Sequence, residues 1–540
     1  MVDPQQRLFI YDAVCEGCGD CAAQSSCVSI EAKETPLGRK RKINQSSCNK
    51  DYSCVKGFCP SFVSVEGAKP RRMKSLTAPE ALFERIPAPS IASIGELSYG
   101  IMIPGIGGTG VITVGAVLAM AAHLEGKAVS TYDMTGLSQK NGAVYSHLQI
   151  ASSTAGLRGN RLGLGDAALV LGFDMVAALG DDAFRTLAPN SSRFIGNQRL
   201  QPTAALMSNP DATLDFGLLA RKVAEKLPPE RMHFLDATGL ATSLLGDAIA
   251  TNFFLVGAAL QLGWLPISLE AILRAIELNA VQVEFNKRAL GFGRLWIHER
   301  ATVEAMLSQA QPSAPAVHAA QPVSLDALIS AQVERLTAYQ NLTYAERYLA
   351  LVTATREAER RATGVEGVLS EAVARYFAKL MSYKDEYEVA RLYSLPSFRQ
   401  QLEAEFEGVQ GIRLNLAPPL FSKRDPQTGH LLKRSFGPWI FKAMQVLASL
   451  RGLRGTAFDL FGYTEERRME RALVAEYEAL IAQLCTTLSA EKLELAVQIA
   501  SVPEQIRGFG HIKEAKVVQA RAAWALLISQ LHALALARAA

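Results

Sequence analysis

The sequence predicts a multidomain α/β plus α protein, on three observations. Seven of the eight cysteines fall between residues 15 and 59, marking a small thiol-rich domain at the N-terminus. From about residue 97, short β-rich apolar runs alternate with helical stretches: YGIMIP, GVITVGAVLAMAAHLEG, AVSTYD, AALVLGF, SRFIGN and MHFLDA. That alternation predicts βαβ units, hence a Rossmann-like α/β domain with a largely parallel sheet. Beyond SQAQPSAPAVHAAQPVS, a linker without charge, the pattern is mostly helical, as in LDALISAQVERLTAYQ and TEERRMERALVAEYEALIAQLCTTL. The expected boundaries are a cysteine domain over 1–66, a linker over 67–96, the α/β domain over 97–307, a linker over 308–324 and a helical domain over 325–540.

At 540 residues the chain is too long for one core. A hydrophobic content of 49% with 20% charged residues is that of an ordinary globular protein. A net charge of +4 is too weak to suggest nucleic acid as a partner. No apolar run precedes the first cysteine, so a cytoplasmic location is expected. The uncharged segment Tyr99–Ala122 is long enough to raise the question of a membrane. Its glycines and proline fit a buried strand–turn–helix unit better, and no membrane contact is expected.

In a reducing compartment a cysteine cluster points to a metal or cofactor rather than to disulfides. Cys15, Cys18 and Cys21 form C-x2-C-x2-C, a spacing that lets one turn present three thiolates to a cubane face. Zinc sites favour pairs of C-x2-C over a triple, so a [4Fe-4S] cluster is the better expectation and zinc the alternative. The first domain is therefore read as ferredoxin-like. By the cross-over rule of ferredoxins, Cys59, followed by Pro60, completes the set of Cys15, Cys18 and Cys21. Cys27, Cys48 and Cys54 then form a second set one cysteine short. That second site is a three-iron cluster, takes a ligand such as Asp51, or does not exist. Between the sets, Arg39 to Lys42 read as a solvated basic hairpin or as a dock for an acidic electron carrier. Cys485 lies on the apolar side of a helix and reads as core packing.

Gly105-Ile106-Gly107-Gly108-Thr109-Gly110 satisfies G-x-G-x-x-G between a strand and a helix, and Asp133 ends the next strand. Gly105, Gly107, Gly108 and Gly110 are thus candidate cofactor-binding residues: they would admit a pyrophosphate to the helix N-terminus, with Asp133 on a ribose. The competing reading is a tight strand–helix turn whose glycines serve packing.

With these segments read, the chain resembles the indolepyruvate:ferredoxin oxidoreductase branch of the 2-oxoacid:ferredoxin oxidoreductases, close to the long fused bacterial form. CEGCGDC, RKRKINQSSCNKDYSCVKGFCPSFVSVEG, GGTGVITVGAVLAMAAHLEGK and DMTGLSQKNGAVYSH carry the resemblance toward the N-terminus. SYKDEYEVARLY, LAPPLFSKRDPQTG, RSFGPWI, RGLRGTAFDLFGYTEERRMERAL and PEQIRGFGHIKEA carry it toward the C-terminus. A thiamine diphosphate motif is not apparent: Gly165-Asp166-Ala167 comes nearest and lacks its completion. The resemblance implies the cluster-bearing, γ-type subunit of a split enzyme, with thiamine diphosphate and magnesium on a partner subunit. It implies two copies of each subunit, ferredoxin as electron acceptor, and transfer of the acyl group to coenzyme A or water. It names no catalytic residue in this chain, and it makes the γ-type glycine loop a less obvious dinucleotide site. Lys423, Arg424, Lys433 and Arg434 read as a solvated basic loop before a coenzyme A contact, and Arg507, Gly508, His511 and Lys513 as a helix start near another subunit. Two other readings stand: an NAD(P)- or flavin-linked iron–sulfur subunit using the Gly105–Gly110 loop, and a zinc scaffold without activity.

Overall fold

A computed structural model describes residues 5–71, 80–136, 142–201, 209, 211–212, 214–310, 324–418, 422–427 and 429–539. Most of the second linker lies outside these residues. The N-terminal strands are β1 (Gln6–Ile10), β2 (Ile30–Lys33), β3 (Lys40–Ile43), β4 (Phe62–Glu66) and the two-residue β5 (Lys69–Pro70). β1 pairs antiparallel with β4, and β2 with β3. The apolar runs RLFI and FVSV explain why β1 and β4 are buried along nearly their whole length.

The central domain carries β6 (Tyr99–Ile106), β7 (Ala128–Met134), β8 (Ala143–Ala151), β9 (Ala167–Gly172), β10 (Arg193–Asn197) and β11 (Met232–Leu235), with the helix Val111–Leu124 after β6. They form one sheet in the order β11-β10-β9-β6-β8-β7. β9, β10 and β11 run parallel to β6, whereas β8 is antiparallel to both its neighbours. Five strands therefore point one way and β8 alone is reversed. Consecutive β6 and β7 do not pair as the βαβ reading would have them, because β8 lies between. The sequences explain the order: YGIMIPGI in β6 is buried along nearly its whole length, as a central strand requires, while the polar centre of AVSTYDM leaves β7 with no buried residue at the edge. Helices Thr251–Gln261 and Val283–His298 close one face, so tightly that a Cβ at Gly293 would stand 1.9 Å from the Phe254 carbonyl oxygen.

The C-terminal region contributes β12 (Phe406–Glu407), β13 (Gly411–Leu416) and β14 (Arg434–Phe436). β12 pairs with β5, and β13 joins β4 to make the sheet β1-β4-β13-β14. The N-terminal sheet is thus completed by strands some 350 residues away, and its apolar core includes Tyr393, Phe398, Leu414 and Phe509. Helices Leu325–Tyr339, Leu342–Thr363, Val368–Met381, Glu465–Thr487, Leu493–Ser501 and Gly510–Ala539 enclose a separate core round Tyr348, Phe377 and Tyr477. Among the described residues no helix is long and apolar enough to cross a membrane.

Candidate functional site

The seven N-terminal cysteines separate into two neighbourhoods. Cys18 and Cys21 each feel the charge of Cys15 and Cys59, whereas Cys54 feels that of Cys48, Cys27 and Asp51. The short helix Asp20–Ser25 carries Cys21, the turn Ser53–Lys56 carries Cys54, and Cys59 enters just before β4. No cysteine is in a disulfide. Backbone amides aim at the sulfurs: Gly17 N donates to Cys15 Sγ at 3.3 Å and Lys50 N to Cys48 Sγ at 3.4 Å. The Ser61 hydroxyl stands 2.9 Å from Cys59 Sγ. Burial, and then the neighbouring thiols, push Cys18 and Cys21 well above the ordinary thiol range, Cys54 to about 12 and Cys59 to about 11. Crowded, buried thiols of this kind ionise only against a compensating cation. Among the described residues no three His, Cys, Asp or Glu side chains converge closely enough to hold a single metal ion. A cubane meets each thiolate at a different iron, so it asks for more widely spaced sulfurs than the roughly 2.3 Å Zn–S tetrahedron of a zinc site.

The C-terminal region wraps the first set. Lys384 pairs with Glu16 at 2.6 Å and also donates to the carbonyls of Val14 and Cys15, each at 3.2 Å. Burial opposes the Glu16 carboxylate, but Lys384, Lys40, Lys513 and Lys379 together hold it well below the usual carboxylate range. At Gly508, φ is +108° and a Cβ would lie 3.5 Å from Cys18 Cβ, so the chain passes directly over that cysteine. His511 stacks on His430 at 3.6 Å between centroids and sits 5.0 Å from the Phe58 ring, next to Cys59. Lys433 is drawn in between the two sets rather than solvated. Its ammonium donates to the Val55 carbonyl at 3.1 Å and feels Cys59, Cys21 and Cys54. The tetrabasic run also departs from the expected solvated hairpin. Lys40 and Arg41 are buried on β3, and Arg39 and Lys42 pair with Glu34 and Glu31. Cys485 packs on the helical core, its Sγ 3.7 Å from Thr355 Oγ1.

Sequence reasoning missed Glu16, Lys384 and Lys433 as parts of this centre. Glu16 carried a faint signal through its place beside Cys15; the two lysines, over 360 residues away, carried none.

A second cleft, of about 660 Å³, opens at the carboxyl ends of β6, β9 and β10, where ligands enter open α/β sheets. Gly107, Gly108, Thr109, Asp174, Asn197 and Asn252 line it, and so do Ser47 and Lys50 of the cysteine domain. Gly105 belongs to β6, where a Cβ would meet Val111 Cγ2 at 2.5 Å; Gly108 and Gly110 hold φ of +81° and +90°. The loop is tied down by Asn252 Nδ2, which donates to the Thr109 carbonyl at 2.8 Å. Asp133 lies on β7, two strand spacings (about 9.6 Å) from β6, so it is not beside the glycine loop as a ribose-binding acid would be. Asp174 caps the next turn through Oδ1, while its buried Oδ2 has no hydrogen-bond partner among the described residues. Burial pushes its carboxyl upward.

Residues 100–295 match the family described as pyruvate ferredoxin/flavodoxin oxidoreductase. Residues 325–526 match a family of unknown function, DUF6537. The chain is similar to indolepyruvate oxidoreductase subunit IorB of Pyrococcus horikoshii, 27% identical over 36% of this chain and 94% of that protein. It is similar to the subunit of the same name from Thermococcus kodakarensis, 28% identical with the same shares. A solved keto/oxoacid ferredoxin oxidoreductase gamma subunit from Geobacter sulfurreducens aligns with 37% of this chain and 98% of its own, at 21% identity and a TM-score of 0.27. Almost two thirds of the chain thus lies outside the match to the IorB relatives.

Proposed function

We propose that this chain is the electron-carrying and structural subunit of a thiamine diphosphate-dependent indolepyruvate, or aryl-pyruvate, ferredoxin oxidoreductase. The observation that carries the proposal is the division of seven buried or half-buried cysteines into two neighbourhoods, beside a domain that matches the oxidoreductase family. Cys15, Cys18, Cys21 and Cys59 would hold a [4Fe-4S] cluster; Cys27, Cys48 and Cys54, with Asp51 near them, would hold the second. Such clusters supply storage for one electron at a time. The chain's own residues do the rest. Gly17 and Lys50 direct N–H groups at sulfur, Lys384 and Glu16 lock the first cysteine loop to the helical region, and Lys433 sets a positive charge between the sets. The path would lead from an aryl-pyruvate oxidised on a partner subunit to ferredoxin, and the product would be arylacetyl-coenzyme A or arylacetate.

A partner subunit also suits the surface. The stretch 439–463 leaves Trp439, Val446, Phe458, Leu460 and Tyr463 more than half exposed, with Phe458 at 76%. Apolar exposure of this kind is unusual unless another chain covers it.

The test is anaerobic purification of the native complex with iron, sulfide and thiamine analysis. Two clusters predict absorbance near 400 nm and two separable paramagnetic signals on reduction. Cys18→Ser should remove one signal and Cys54→Ser the other. A colourless chain, or a complex without thiamine, would overturn the proposal.

A further inference from the structure

A cavity of about 860 Å³ lies where the three parts of the chain meet, apart from the glycine-loop cleft. The β2–β3 loop forms one wall, helical residues 332–384 and 498–513 form most of the others, and Asp211 of the central domain reaches the rim. Eight cations and five carboxylates line it, an excess of three positive charges. The pairings account for the balance. Lys384 binds Glu16, Lys513 binds Glu470, Arg507 binds Asp211 and Glu504, Arg39 binds Glu34, and Arg375 turns away to Glu371. Lys40, Arg335 and Lys379 remain, and none has a carboxylate at ion-pair distance among the described residues.

Lys40 is 7% exposed, lines the cavity, and its ammonium makes no hydrogen bond or ion pair among the described residues. Among the described residues Arg335 has only the Gln332 side chain, at 3.2 Å, and Lys379 only the carbonyls of Pro503 and Glu504, at 2.8 and 2.9 Å. Charge withdrawn from water without a counter-charge at ion-pair distance is costly, so one buried and two half-buried cations round one void are a standing demand for an anion. Beside them Tyr376, Leu380 and Tyr383 offer an apolar and aromatic wall. Burial pushes the Lys379 ammonium down to about 7 and that of Lys40 to about 8, a larger effect than the more distant Glu16 carboxylate offsets.

We infer that this cavity binds a phosphorylated small molecule, with Lys40, Arg335 and Lys379 on its phosphate and the tyrosine wall against its organic part. A phosphate monoester or diphosphate brings at least two charges in a compact tetrahedral form that ammonium and guanidinium groups can share. The volume suits a ligand larger than the bare anion.

The test uses inorganic pyrophosphate as probe on the full chain purified with its metal centres, by calorimetric titration at pH 7 and low salt. Saturable binding is expected, weakened at least tenfold in Lys40→Met and in Lys379→Met, and weakened by added salt. Because burial outweighs the distant Glu16 carboxylate at both ammonium groups, the ligand-free variants should melt no lower than the parent, so lost binding will not reflect misfolding. Citrate, a carboxylate of similar charge, should bind at least tenfold more weakly. No binding at millimolar pyrophosphate, binding untouched by both substitutions, equal binding of citrate, or variants that melt lower would each overturn the inference.

Discussion

Replacing Lys384 with methionine removes the ammonium that ties the first cysteine loop to the helical region. The structure sets the size of the effect. Lys384 and Glu16 side chains are 6% and 12% exposed and meet at 2.6 Å, and the same ammonium serves the carbonyls of Val14 and Cys15. The substitution keeps most of the volume but leaves a carboxylate and two carbonyl groups without this donor. Breaking a buried pair in this way costs about 3–5 kcal/mol. Lys40, Lys513 and Lys379 still act on Glu16 from farther away, which places the expected loss near the lower end, at ~3 kcal/mol. For a unit of roughly 200 residues, each kcal/mol moves the melting temperature by about 2–4 °C, so a fall of ~6–12 °C is expected in scanning calorimetry. If the proposed cluster is present, iron content per chain should fall with it, because the loop bearing Cys15 loses its anchor. Adding Glu16→Gln should restore most of the loss, since an uncharged amide tolerates the vacated site better than a carboxylate. A single variant within ~1 kcal/mol of the parent, or a double variant no better than the single, would refute the reasoning.

Arg454 grips Asp385 with two bonds of 2.6 and 2.9 Å, both side chains 3% exposed, and lies 3.7 Å above the Tyr339 ring. Arg454→Met should cost ~3–5 kcal/mol in urea unfolding followed by circular dichroism, and Arg454→Lys less, because charge survives while the fork is lost. A Cβ at Gly115 would stand 2.4 Å from Ser146 Oγ, so Gly115→Ala should cost ~1–3 kcal/mol, and Ser146→Ala in the same chain should recover most of it. The pH dependence of stability has a definite sign at Lys379. Its folded value, lowered to about 7, lies under an unfolded value near 10.4, so between them the unfolded chain binds the extra proton and stability rises with pH. Chemical denaturation should therefore show Lys379→Met most stabilised relative to the parent below pH 7. That advantage should shrink by up to ~1.4 kcal/mol per pH unit on the way to pH 10. A difference independent of pH would show that the ammonium is not strained by burial.

Much of this was open to a reader of the sequence. The triple C-x2-C-x2-C and the distant Cys59-Pro60 are local chemistry, and local spacing is enough to suggest a cluster. The strand character of YGIMIPGI and the helix after it follow from composition and glycine placement. Strand order was not legible. The reversed β8 between β6 and β7 takes Asp133 away from the glycine loop, and nothing in AVSTYDM or AVYSHLQIA marks that insertion. Nor was the fate of the basic run: the charges of Lys40 and Arg41 suggested solvent, yet both are buried on β3.

The sequence alone determined the kinds of elements and the chemistry that its cysteines can support, because periodicity, glycine and cysteine spacing act over a few residues. Tertiary structure alone decided which distant groups answer one another. β13 extends the N-terminal sheet, Lys384 reaches Glu16, Lys433 enters between the cysteine sets, and three cations without an ion-pair partner among the described residues face one cavity. Contacts across 300 residues or more depend on how sheets and helices pack, and packing leaves no mark in the spacing of neighbours along the chain.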